Sequence, residues 1–182
     1  MKIISDVIFI APLIMNNQDL LLKTIFACMA CDGDIAPEEI QVLRELIANT
    51  DLFNELDVEV ILKKYVDSIN QDGVSFLNKY LSDVAEDALS KEEQMCLVDL
   101  AFKTIEADKR IEYSEVKFFK KIRVRLSLTD EEILAKYPDK EDFLLPDINV
   151  ADDPEWNNVT FAEITLSLDK DPQSTDKEQE AE

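Results

Sequence analysis

The sequence predicts an all-α protein, a helical bundle built on a repeated helix-loop-helix unit, and three observations carry that prediction. Apolar residues recur at spacings of three and four along most of the chain. Only two glycines, Gly33 and Gly73, occur in 182 residues. Helix-start patterns, in which a Ser or Thr is followed three residues later by Glu, stand immediately before apolar runs.

Taken in order, the first helix lies across LLLKTIFACMA, where Leu21, Leu22, Ile25, Phe26 and Met29 form one stripe. The second lies across EEIQVLRELI, with Ile40, Leu43, Leu46 and Ile47, and Pro37 sits just inside its start, where a missing amide hydrogen has no helical partner to lose. Asp57 caps a third helix over DVEVILKKYVDSI, and Gln71, Asp72 and Gly73 turn the chain into a fourth over VSFLNKYLSDVAEDAL. Ser90 and Glu93 form a capping box for a fifth helix reaching to Ala107. Thr129 and Glu132 repeat that logic for a short helix ending near Tyr137 and Pro138.

Composition limits the chemistry. The chain has no histidine, which removes His-based triads, His-ligated zinc and the usual base near neutral pH. No convergent nucleophile and base and no glycine-rich phosphate loop replaces them, so the sequence reads as no enzyme and as needing no certain cofactor. A net charge of −21 repels phosphate backbones and anionic lipid, so no nucleic acid partner is expected; it favours a divalent cation or a protein partner with a basic surface. Near the start, Asp6 breaks the apolar segment after Lys2 and leaves only a short run from Val7 to Met15, no signal cleavage site follows, and no segment reaches the roughly 20 residues of a membrane span. With three cysteines and no disulfide framework, a cytoplasmic setting is expected.

Sliding the sequence by 76 residues lays ACDGDIAPEE on EADKRIEYSE, matching Asp32 to Asp108, Ile35 to Ile111 and Glu39 to Glu115, with Phe26 on Phe102 just upstream. The expectation is that Asp ends the first helix of each unit, Ile turns into the core within the loop, and Glu caps the next helix. If Asp32 and Gly33 are positions five and six of a calcium loop, Ile35 and Glu39 fall on eight and twelve, as such a loop requires. Positions one and three are then Cys28 and Ala30, and in the repeat Thr104 and Glu106, with Lys109 at the glycine position. Neither loop supplies six oxygens alone; a site shared by Asp32, Asp34, Glu39, Asp108 and Glu115 is the metal candidate, and helix caps with solvated charge are the alternative. Cys28 and Cys31 end a helix instead of beginning one, the wrong end for an activated thiol, and read as core cysteines.

The doubled pattern A-C-D-G-D-I-x-x-x-E and E-A-D-K-R-I-x-x-x-E, followed by a hydrophobic helix ending in LSLT, resembles the tellurite-resistance TerB-like domain over residues 17–137. The resemblance implies a bundle of about seven helices serving as a stress-response accessory module, alone or fused to domains such as J-type co-chaperones. It also implies a metal-binding role at Asp32, Asp34, Glu39, Asp108 and Glu115, and association with a membrane complex without insertion. Lys109 and Arg110 depart from the pattern.

Outside that region, residues 1–16 form an N-terminal extended or strand segment, 138–168 a C-terminal extension and 169–182 an acidic disordered tail; after Pro146 there are eleven acidic residues against two lysines. AEITLSLD alternates Ala162, Ile164, Leu166 and Leu168 with polar residues, a strand period over 162–168, and KIISDVIFI is its expected partner in a small sheet beside Trp156 or Phe161. Extended ribbons lying on helices are the other reading. Two functions follow: a module binding a basic surface or a divalent cation through paired acidic loops, or an adaptor whose loops only cap helices and whose termini meet the partner.

Overall fold

The computed structural model describes residues 17–107, 111–146 and 160–168, and all structural statements below concern these. Eight helices occur: α1 (Gln18–Ala30), α2 (Pro37–Asn49), α3 (Val58–Asp72), α4 (Val74–Glu86), α5 (Lys91–Ile105), α6 (Tyr113–Arg123), α7 (Asp130–Lys136) and α8 (Glu141–Leu144). The last is a single turn that sequence periodicity is too short to reveal.

Local signals place most boundaries. The Asp57 carboxylate accepts from the Val60 amide, and Ser90 and Thr129 complete capping boxes with Glu93 and Glu132. Gly73, at φ +53°, separates α3 from α4 in a left-handed conformation that glycine adopts without steric cost. Helix α5 stops at Ile105, two residues short of expectation, and the Glu106 and Ala107 amides turn back to Phe102 and Thr104.

The expected stripe on α1 is wider in the structure: from Leu20 to Ala30 only Lys23 escapes full burial, because α3, α4, α5 and α6 surround the helix. Helix α5 is nearly as enclosed, and the most extensive packing in the molecule is α1 on α5. Helix α2 packs on α5, while α6 packs on α1 as well as on α5. Each repeat thus places its second helix on the first helix of the other, the pattern of an approximate two-fold. Asn17 and Glu93, equivalent residues of the two units, hydrogen bond to each other at 3.2 Å.

The repeat extends into the aromatic core. Phe26 gathers Tyr65 and Phe76 at ring-centroid distances of 5.5 and 5.6 Å. Its equivalent, Phe102, gathers Phe119, Tyr137 and Phe143 at 4.6, 5.3 and 5.2 Å. Ion pairs lock the periphery: Lys23 to Asp83 between α1 and α4 (2.6 Å), and Lys140 to Glu106 (2.5 Å).

Residues 160–168 run extended across the bundle, and no strand occurs among the described residues. The Asn70 side chain meets both backbone polar groups of Ile164, at 2.9 Å each, in place of a neighbouring strand. The expected alternation holds from Ile164, which is buried, through Leu166 and Leu168, which pack on the core; Ala162 is exposed and Phe161 packs in its stead. The expected partner strand in residues 1–16, Trp156 and the acidic tail lie outside the described residues. No helix among those described is long and apolar enough to cross a membrane.

Candidate functional site

The doubled acidic motif forms two loops at one end of the α1–α5 pair. In the first, Gly33 takes φ +99° and its amide bonds the Ala30 carbonyl (3.1 Å), ending the helix. The Asp32 carboxylate then accepts from the Asp34 amide (3.0 Å), and that of Asp34 from the Ile35 amide (2.9 Å). Both aspartates are exposed. Three residues into α2, Glu39 is buried and its Oε2 accepts from the Ala36 amide at 2.7 Å.

The second loop repeats the ending of the first, but its isoleucine is placed differently. Glu115, also buried, accepts from the Glu112 amide at 2.7 Å, the counterpart of the Glu39 bond. Ile35 packs against the core as expected, whereas Ile111 is 46% exposed, so the matched isoleucine does not turn inward. Asp108, Lys109 and Arg110 lie outside the described residues.

The electrostatics show that the loops are neighbours. Partial desolvation against the bundle raises the Asp32 pKa most, and the nearby charges of Glu112, from the other repeat, and Asp34 raise it further against opposing backbone hydrogen bonds. Cys28 and Cys31 lie beneath both loops as free, buried thiols. Burial pushes both well above the ordinary thiol value; for Cys28 the Glu115 and Glu39 carboxylates add to it, and for Cys31 so do Cys28, Asp32 and the same two glutamates. These are core thiols. Cys28 and Ala30, at the first and third calcium-loop positions, are 1% and 0% exposed and offer no hard oxygen ligand from their side chains.

Asp32, Asp34, Glu39 and Glu115 therefore share one end of the bundle. Among the described residues, no three His, Cys, Asp or Glu side chains are grouped so as to hold a metal ion. The described residues of the arrangement present carboxylates, with Asp32, Asp34 and Glu112 exposed above two buried capping glutamates. Sequence reasoning missed Glu112. It stands opposite Ala36 in the repeat, so the matching of identical residues passes over it, although its place immediately before a helix was a signal.

A family model described as tellurite resistance protein TerB matches residues 20–136. No curated protein and no solved structure matches the chain.

Proposed function

Since the chain belongs to the tellurite-resistance TerB family, we propose that it is a non-catalytic accessory module of a bacterial stress-response system, whose paired acidic loops receive a basic protein surface. The observation that carries this reading is the crowding of Asp32 by Glu112 and Asp34, like charges brought together from both repeats. An ammonium or guanidinium placed there relieves the repulsion and uses carboxylate lone pairs left over from the turn bonds. The spread of these charges over an exposed surface suits a row of basic side chains better than one ion. A second reading, a divalent cation bound by Asp32, Asp34, Glu39, Asp108 and Glu115, rests on the matched placement of Glu39 and Glu115. The adaptor reading rests on the same two residues, since both already cap helices.

The double substitution Asp32→Asn with Asp34→Asn separates these. Asparagine keeps a side-chain oxygen for each turn bond but removes two of the 40 acidic residues. If the loops are the site, the affinity of a labelled arginine-rich peptide falls at least tenfold at 150 mM salt; if attraction is merely generic, it scarcely changes. Thermal melts with millimolar calcium, magnesium, manganese and zinc test the cation reading, since a ligand at a hundred times its dissociation constant stabilises by about 2.7 kcal/mol. No affinity change and no metal-dependent shift would leave the loops as caps.

A further inference from the structure

Residues 160–168 are held in a manner unlike the rest of the fold. The carboxamide of Asn70, an exposed residue of α3, accepts from the Ile164 amide and donates to its carbonyl, both at 2.9 Å. Arg44 of α2 donates to the Ser167 carbonyl at 3.0 Å. Both grips are on backbone, three residues apart along an extended chain. An extended segment of another composition would offer the same groups at the same spacing. Side-chain selection is left to the alternate positions: Ile164 is 4% exposed, and Leu166 and Leu168 pack on the core beside it. At the near end, Phe161 lies against Gly73, where an added Cβ would come within 3.3 Å of its ring. An open cleft of about 430 Å³ runs alongside, between α3 and the segment, bordered by Leu62, Val66 and Asn70 on one side and Ile164, Leu166 and Leu168 on the other. Glu59, Lys63 and Asp67 stand at its edge.

Backbone bonds that accept any sequence, alternate side chains packed on the core and an open cleft alongside are the attributes of a peptide groove. We propose that the face of α3 next to Arg44 of α2 is a peptide-binding groove whose resident occupant is the chain's own 160–168 segment. The partner it fits is an extended segment with apolar side chains at three alternate positions, the pattern of Ile164, Leu166 and Leu168. Because the resident is tethered, its effective concentration is of order millimolar, so the groove stays closed to micromolar ligands of equal affinity and opens to such ligands only at millimolar concentration or when they make additional contacts. This surface is separate from the acidic loops, and its test does not depend on their function.

The test uses the full-length chain. Ile164→Ser with Leu166→Ser weakens the resident without altering a helix. That variant should bind a fluorescein-labelled peptide of residues 159–169 at least tenfold more tightly than the wild type does, and adding Asn70→Ala should remove the gain. Equal binding by variant and wild type, no binding by a variant that keeps its helical circular dichroism and cooperative melt, or equal binding of a scrambled peptide would overturn the proposal. If the variant does not fold, hydrogen exchange on the wild-type chain decides: millimolar unlabelled peptide must accelerate exchange of the resident Ile164 amide, and unchanged exchange overturns the groove.

Discussion

Replacing Thr24 by valine should destabilise the protein more than replacing both Thr24 and its partner Tyr80. The Tyr80 hydroxyl, in a side chain that is 0% exposed, donates to Thr24 Oγ1 at 2.9 Å, and Thr24, also 0% exposed, passes its own proton to the Leu20 carbonyl at 2.8 Å. Valine and threonine have similar helix propensities, so the backbone of α1 is indifferent to the change. What Thr24→Val does is leave a buried phenol with no described partner, at a cost of about 1–3 kcal/mol. Tyr80→Phe removes the donor and leaves the Thr24 bond to Leu20 intact, so its cost is that of one hydrogen bond, about 1 kcal/mol. In Thr24→Val with Tyr80→Phe no polar side-chain group remains stranded, and the loss should fall below that of Thr24→Val alone. In a chain of this size a 2 kcal/mol loss lowers the melting temperature by about 4–8 °C. Urea unfolding of the four proteins at constant m gives the cycle directly. Additive losses, or a Thr24→Val loss under about 0.5 kcal/mol, would refute a dry hydroxyl chain between α1 and α4.

Glu39→Ala and Glu115→Ala should each cost about 1 kcal/mol through loss of a capping bond, and the Gln variants much less; unequal costs in urea melts would show that the repeats differ at their caps. Cys28, Cys31 and Cys96 should resist a disulfide-exchange reagent at pH 7, reacting only at the rate of global unfolding; fast labelling of the native chain would contradict their burial. Stability should decline above pH 9, since Cys28, Cys31 and Cys96 ionise near 9 once unfolded and are held higher in the fold, Cys96 up to about 12; Cys96→Ala should lessen that decline without abolishing it in melts between pH 8 and 11. Gly73→Ala should cost about 1–2 kcal/mol from its positive φ alone and, by crowding Phe161, speed hydrogen exchange in 160–168 beyond that seen with an equally destabilising core substitution.

What could be foreseen in this chain depended on how local its cause was. The caps at Asp57, Ser90 and Thr129 and the Gly73 turn were legible because each is decided by a few consecutive residues. The matched glutamates of the repeat were legible for the same reason. Ile111 was not: it shares a letter with Ile35, but burial depends on what packs over the loop, which a letter does not encode. The stripe on α1 understated its burial because neighbours arriving from four other helices appear nowhere in its own periodicity. For 162–168 the alternation identified a buried face and could not say whether a sheet or a helix covered it; the answer lay with Asn70, on the exposed side of α3, where no pattern marks it. The acidic loops were legible as charge, while the proximity of Glu112 to Asp32 needed the two repeats to be folded against each other.

The packing of the two repeats against each other has a consequence for how the loops can diverge. Two identical chains joined about a true dyad must carry every change twice, so their facing loops remain copies. Here the two repeats belong to one chain, joined through α3, α4 and the turn from Asp87 to Ser90, and each loop can change alone. The sequence records such independence: Asp-Gly-Asp in the first loop stands opposite Asp-Lys-Arg in the second. A duplicated frame keeps Glu112 of one loop near Asp32 of the other while leaving the residues between free to change in one copy alone, which a symmetric assembly of the same parts could not allow.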